Sequence, residues 1–326
     1  MKKKILPFAC ALLFLAGCGN ELRFSNSIVS ERFVHKFGYS VSKQEWNERS
    51  YPGQVITTMS NGVTITASYE NRVLHGPTTH TYPNSNVVQY FYLYNEGNLV
   101  KETVYDTFGI PVRERVQLSP HRHTLTKWYG DGTPMCTEDY ADEELLEGEY
   151  FSVNNEVEAK VEKGNGNRVI RDQKGLLLSK DNIKNGYIER RESFYASGTP
   201  ASILHYSLNQ LHGEKRTFSP TGEPIVIEEW LNGKLHGKAI TFQNGVKKSE
   251  IHYLYGTKCG PETYYLDGQN IAQQILWEND RRHGPTTYYI EGNPQMEWWY
   301  EGKKITQKRY EELDRLDQMI TQMNDN

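Results

Sequence analysis

The sequence predicts an all-β protein, an elongated antiparallel array of stacked β-hairpins that is duplicated in two halves and followed by a short C-terminal helix. Three observations carry this. Gly213, Gly237, Gly260 and Gly284 recur at intervals of 24, 23 and 24, in phrases such as LHGEKRTF, LHGKAITF and RHGPTTYY; a fixed period of that size signals a repeat architecture. A second series, Gly198, Gly222, Gly245, Gly268 and Gly292, interleaves with the first. Each is followed eight or nine residues on by Tyr206, Trp230, Tyr253, Trp277 or Tyr300, and the step from such an aromatic to the next main glycine is seven. One repeat therefore reads as turn, short strand with an aromatic, turn, short strand with an aromatic. Third, the whole pattern recurs. Gly38, Ser42, Lys43 and Leu74-His75-Gly76 map onto Gly175, Ser179, Lys180 and Leu211-His212-Gly213 at an offset of 137 residues.

Taken in order, the chain begins with Lys2, Lys3 and Lys4 ahead of an apolar run, ILPFACALLFLAG (5–17). The run is too short to span a bilayer and has the shape of a secretory signal peptide. It ends in Leu15-Ala16-Gly17-Cys18, which resembles the bacterial lipoprotein cleavage box. That resemblance implies removal of residues 1–17, acylation of Cys18 and a bacterial envelope location; an ordinary secretory signal or a signal anchor is the alternative. Gly19 stands where an Asp would favour the inner membrane, so the outer membrane is expected. Several acyl chains on one residue exceed the marginal hold of a single chain.

Residues 18–37 read as a tether. The first hairpin array is expected over 38–166 and the second over 167–302. Each opens with a lead-in, GYSVSKQEW (38–46) or GLLLSKDNI (175–183). Turns at Thr221-Gly222, Asn244-Gly245 and Asp267-Gly268 fit the positive φ that tight hairpins require. The intervening segments are rich in Thr, Tyr, Phe, Trp, Val and Ile, which suit a pleated surface. Single hairpins cannot bury a face, so neighbours must stack and share cross-strand pairs. The glycine rhythm fails over 152–174, where a break or hinge between the halves is expected. Residues 303–326 contain no glycine or proline, and Leu313, Leu316, Ile320 and Met323 form one apolar helical stripe, expected to cap the last hairpins near Trp298 and Tyr300.

NGVTITASYENRVLHGPTTHTY (61–82) and TGEPIVIEEWLNGKLHGKAITF (221–242) resemble the MORN-variant repeats of bacteria, whose units read roughly N-G-x-x-x-x-x-x-Y-x-x-G-x-x-x-G-x-x-x-x-Y. The resemblance covers most of residues 53–302 and implies the stacked-hairpin fold. It implies function only broadly, since such proteins are often labelled antitoxin components or scaffolds, and eukaryotic MORN arrays are linked with membrane apposition and dimerisation.

Composition fits an extended, polar, exported chain. Apolar residues make up 37% and mean hydropathy is −0.72. The net charge of −4 becomes more negative once the three lysines of the leader are removed, which disfavours nucleic acid as a partner. Cys136 and Cys259 are too far apart along a continuous ribbon to meet the about 7 Å limit of a disulfide. His75, His212, His236 and His283 share one repeat position, about 9.5 Å apart by strand spacing, which suits turn packing and not one metal ion. His121 and His123 share a strand face but have no nearby third ligand. Glu228-Glu229, Glu311-Glu312 and Asp142-Glu143-Glu144 are adjacent carboxylates whose side chains diverge on a strand. No P-loop, G-x-S-x-G, dinucleotide fingerprint, HExxH or CxxC occurs. No catalysis, cofactor or metal is therefore expected.

Aromatics are the remaining signal: 22 Tyr, 11 Phe and 6 Trp. Adjacent pairs must place one ring on each face of a sheet, and exposed aromatic rows mark binding surfaces. Tyr264, Tyr288, Trp298, Trp299 and Tyr300 are the candidate binding surface. The reading is a lipid-anchored binding or scaffold module whose partner is the membrane through Cys18 and a protein or envelope glycan. The competing class is a carbohydrate-active or hydrolytic enzyme with a site near the junction of the two halves.

Overall fold

The computed structural model describes residues 27–324; Cys18, the leader and the start of the tether lie outside them. The elements begin with β1 (Ile28–His35), β2 (Ser40–Val41), α1 (Lys43–Arg49), β3 (Gly53–Met59), β4 (Thr64–Glu70), β5 (Val73–Thr81), β6 (Val88–Asn95) and β7 (Asn98–Tyr105). They continue with β8 (Pro111–Ser119), β9 (Arg122–Trp128), β10 (Pro134–Ala141), β11 (Glu144–Phe151), β12 (Val157–Glu162), β13 (Asn165–Arg171), β14 (Leu177–Lys184), β15 (Tyr187–Phe194) and β16 (Pro200–Ser207). The last are β17 (Gln210–Phe218), β18 (Pro224–Leu231), β19 (Lys234–Gln243), β20 (Val246–Leu254), β21 (Thr257–Lys258), β22 (Gly260–Tyr265), β23 (Ile271–Glu278), β24 (Arg281–Ile290), β25 (Asn293–Tyr300), β26 (Lys303–Ile305) and α2 (Gln307–Asn324). All 26 strands belong to one open antiparallel sheet. β1 lies between β2 and β3, later strands pair with their neighbours in sequence, and β20 pairs with both β21 and β22.

The two edges of the sheet use different turn chemistry. On one edge, two-residue turns have both residues at positive φ, as in Asn71-Arg72, Asn185-Gly186, Leu208-Asn209, Asn232-Gly233 and Asn279-Asp280. Those turns have the backbone twist of the flanking strands. On the other, three-residue turns ending in a left-handed glycine recur, as where Gly222 N–H donates to Ser219 O and Ser219 N–H to Glu223 O, alongside the two-residue turns Asn244-Gly245 and Glu291-Gly292. Tyrosines lash successive turns of this second edge together. The hydroxyls of Tyr82, Tyr129 and Tyr195 donate to the carbonyls of Tyr105, Phe151 and Phe218 at 2.9, 2.6 and 2.7 Å.

The His-Gly phrases, read from sequence as turns, lie inside strands. His236, Gly237 and Lys238 together face the single residue Glu229, because Glu228 pairs with Ala239 and Trp230 with Leu235. The same bulge recurs at Gly76, Gly213 and Gly284, with φ of +87°, +92° and +102°. A bulge glycine also pairs with an aromatic of the next strand, Gly76 with Tyr94, Gly213 with Trp230 and Gly237 with Tyr253, so a ring covers the bare backbone. This is why the aromatics and glycines keep step. The bulge histidines do pack on turns: Nδ1 of His75 and His236 accepts from the backbone N–H of Glu96 and Tyr255 in the next turn along the edge.

One face, here called the front, holds a transverse row running through Phe33, Val55, Ala67, Thr78, Tyr92, Glu102, Arg115, Leu125 and Glu138. The row resumes through Asp181, Arg191, Leu204, Lys215, Glu228 and Ala239, and ends through Glu262, Ile275, Thr286 and Glu297. Much of the buried set falls on this line, including Phe33, Ala67, Thr78, Glu138, Asp181, Ala239, Glu262, Ile275 and Thr286.

Four expectations are corrected. Residues 28–35, expected as part of the tether over 18–37, form strand β1, because Phe33 and its neighbours pair with β3 and extend the sheet. The sheet runs through 152–174 without a break, carried by β12 and β13, and the apolar core of Cys136, Leu145, Tyr150, Val161 and Ile183 spans β10 to β14 around it. The β12–β13 hairpin keeps two paired positions, so the turns draw together and Leu145 N–H reaches Gly186 O at 3.0 Å. The lead-in at 38–46, expected to open the first array, gives the short strand β2, paired with β1, and then the start of helix α1. Ser42 and Glu45 form a reciprocal capping box, whereas the duplicate Ser179 has Asn182 at the third position and lies in β14. The C-terminal helix begins only at Gln307, after the short strand β26.

Candidate binding face

The five candidate aromatics do not share one surface. β24 pairs with β25 with no register shift, so Gly284 meets Trp299. In the repeats before it, a bulge next to the turn gives the strand an extra residue, as at Thr241/Phe242 and Tyr264/Tyr265. Without that residue the final hairpin slips by one, and a one-residue slip exchanges the two faces. Trp299, not Tyr300, therefore takes the repeat's aromatic position. It stands on the front, where the Arg282 guanidinium lies 4.9 Å from its ring and 5.8 Å from that of Trp277. The Trp299 indole N–H is buried without an acceptor.

Trp298 and Tyr300 point to the back, beneath α2. Tyr310 lies 5.1 Å from Trp298 and 5.6 Å from His283, and the Tyr300 hydroxyl donates to Asp317 at 2.7 Å. That bond holds the Tyr300 phenol up at about 12. The helix meets the sheet through Tyr310 and Asp317, and Leu313 between them is partly buried. The expected stripe is offset by one step, since Leu316, Ile320 and Met323 are 52%, 51% and 70% exposed. Trp298 and Tyr300 are thus helix contacts and leave the binding set.

Tyr264 and Tyr288 remain on the front with Trp299. Gln273 of β23 pairs with Tyr264 on one side and Tyr288 on the other, and Tyr288 pairs with Gln295. Four adjacent strands therefore present Tyr, Gln, Tyr, Gln in one transverse line. The Tyr264 hydroxyl donates to Glu262 at 3.0 Å, and Glu262 also accepts from the Trp277 indole at 2.7 Å. Burial first, then this carboxylate, raises the Tyr264 pKa. Tyr288, Gln273 and Gln295 are not all exposed, but their side-chain polar groups make no hydrogen bond within the described chain. Because α2 occupies the back, this line stays open.

Near the junction, Glu138 and Asp181 are buried to 1% and 0% exposure. The Arg168 Nε lies 2.9 Å from Glu138, without the alignment of a hydrogen bond. Tyr150 and Tyr140 donate to the two Glu138 oxygens at 2.9 and 3.0 Å. Arg191 grips Asp181 through two nitrogens at 2.8 Å each. Burial, followed by Glu138, pushes both phenols up, and burial raises the Cys136 thiol to about 12. Carboxylates matched this way fix strand register. The sequence carried no signal for the pairing, because Glu138 and Arg168 lie 30 residues apart, on β10 and β13, with β11 and β12 between them.

Other features are self-contained. A cleft of about 470 Å³ under α1 is lined by Phe33, Trp46 and Tyr69, but Arg72 spends its guanidinium on Ser50, Asn47 and Glu48, and Lys43 pairs with Glu31. Among the described residues, no group of three His, Cys, Asp or Glu is placed to hold a metal. No described helix is long and apolar enough to cross a membrane. Cys136 and Cys259 are both free thiols.

No protein-family model and no curated protein matches the chain. Among solved structures, similarity is found to TarM and to a mutant of S. aureus TarM in complex with Fondaparinux, alpha-GlcNAc-glycerol and UDP. Both are 16% identical over 34% of this chain, with a TM-score of 0.18. The chain matches about a fifth of their length, 20% and 21%, and a likeness this low carries no argument.

Proposed function

We propose that the chain is a binding module of the bacterial envelope, held by acylated Cys18 with the outer membrane favoured, which presents the front of its last hairpins to a partner. The observation that carries the reading is the open line of Tyr264, Gln273, Tyr288 and Gln295, beside Trp299, on a face that α2 does not cover. A rigid sheet suits recognition, because strand-borne side chains are ordered before the partner arrives. The matched carboxylates near the junction support binding over hydrolysis: a carboxylate committed to a guanidinium and two phenols has no free capacity as an acid or base.

Two measurements test this. Cys18→Ser should abolish both acylation and processing, so that the leader of residues 1–17 stays attached; a wild-type protein that partitions to the aqueous phase, or whose mature N-terminus lies elsewhere, removes the anchor. A photo-crosslinking side chain at 288 should trap an envelope component in cells, and the same group at 289, on the back, should not. Equal yields at both positions would reject the front as the binding face.

A further inference from the structure

We infer that the front line of Tyr264, Gln273, Tyr288 and Gln295 binds an extended β-1,4-linked glycan of neutral N-acetylhexosamine units, laid across the strands. The inference rests on the binding-face reading above and names its ligand.

The argument starts from pitch. Tyr264 and Tyr288 are two strands apart, on either side of Gln273, so their Cα atoms stand about 9.6 Å apart by strand spacing. An extended β-1,4-linked chain advances by about one strand spacing per sugar, because each ring is turned over relative to the last. Two tyrosines at this interval therefore meet every second sugar, and the sugars they meet present the same orientation. A pyranose ring shows axial C–H groups on its flat face, and a phenol offers the negative face of its quadrupole to them.

The glutamines supply the complementary polar half. Gln273 lies between the two tyrosines and Gln295 beyond the second. Neither amide is used within the chain. Each offers a carbonyl acceptor and two N–H donors, which matches an acetamido group and a ring hydroxyl on the intervening sugar. Charge points the same way. The four side chains in the line are uncharged, and the chain as a whole is at −4, so a neutral polymer fits where a polyanion is repelled. A protein partner would instead be expected to engage a buried aromatic or arginine anchor in a pocket; here the nearest arginine, Arg282, is stacked between two indoles.

The test uses the whole mature chain from residue 18 onward, carrying Cys18→Ser and made without the leader so that it is not acylated, titrated calorimetrically with the β-1,4-linked hexamer of N-acetylglucosamine. Maltohexaose, whose α-1,4 links curl the chain, serves as the pitch control. The expected result is binding of the first and not the second. Tyr288→Ala and Gln273→Ala should each weaken it about tenfold, Tyr288→Phe should leave it within about threefold, and Tyr289→Ala, on the back, within about twofold. Unchanged melting of each variant separates lost contact from lost fold. Equal affinity for the two oligosaccharides, or an indifferent Tyr288→Ala, overturns the inference. If the hexamer does not bind while the crosslinker at 288 traps a protein, the glycan is overturned and the binding face stands.

Discussion

Gly237 and Gly233 lie four residues apart, yet the same substitution should affect them differently. At Gly233, φ is +77° and an added Cβ would meet nothing within 4 Å, so Gly233→Ala carries only the left-handed penalty of about 1–2 kcal/mol. At Gly237, φ is +104° and an added Cβ would lie 3.1 Å from the Cβ of Glu229, with the carboxylate closer still. Strained backbone plus crowding should bring Gly237→Ala to about 3 kcal/mol or more. Urea midpoints of the two variants compare them directly, and equal shifts would reject the bulge as the reason for the glycine metre. His80 gives a pH dependence. Its ring lies 5.4 Å from Tyr92 and 6.3 Å from Tyr90, and burial lowers its pKa. The folded form binds the proton less well than the unfolded chain, whose histidine titrates near about 6.5. Stability from neutral His80 is therefore present above that pH and lost as pH falls. Melting should drop between pH 7.5 and 5.5, and His80→Gln should shrink that drop; an unchanged drop would place the acid sensitivity elsewhere.

At the scale of elements, sequence legibility followed where the period was set. The glycine and aromatic spacing predicted the hairpins because bulge and ring are paired through backbone registry, which sequence spacing preserves. Trp299 shows the limit. Glu291-Gly292 and Asn244-Gly245 are both two-residue turns with positive φ, but the second is followed by a compensating bulge and the first is not. The spacing of glycine and aromatic is the same with or without that extra residue, so spacing alone assigns Tyr300 to the wrong face. Helix α1 was missed for another reason: its capping box, Ser42 with Glu45, was in the sequence but was read as part of the duplication. The offset stripe of α2 has a direct test. Tyr310→Ala removes contacts to Trp298 and His283 and should lower stability by about 2 kcal/mol or more. Ile320→Ala, at an exposed position, should stay within about 0.5 kcal/mol. The reverse order would restore the stripe of Leu313, Leu316, Ile320 and Met323 as the buried side.

For the whole molecule, the decisive quantity is how far the sheet extends. β21 and β22 share one position beside β20, so the 26 strands make about 25 rungs and a path of roughly 115 Å along the sheet at the usual strand spacing. Twist and the gathering of turns near β12 and β13 shorten the end-to-end distance but do not close the sheet, since β2 and β26 have no pairing partner beyond β1 and β25. The surface is correspondingly large, 21765 Å² against about 14,000 Å² for a compact domain of this mass. A ribbon also behaves differently under stress from a globule. Each hairpin touches mainly its neighbours, so stability is close to a sum of local terms, and the matched carboxylates with the apolar core around Tyr150 make the middle its strongest section. Small-angle scattering of the unacylated protein should then give a radius of gyration well above the about 20 Å of a compact chain of this length, with a distance distribution skewed to long vectors. In hydrogen exchange, amides of β10 to β14 should be the last to exchange and those of the terminal hairpins the first. A symmetric distribution near 20 Å would mean that the halves fold onto each other, which would cover the front and leave no open line of tyrosines to bind anything.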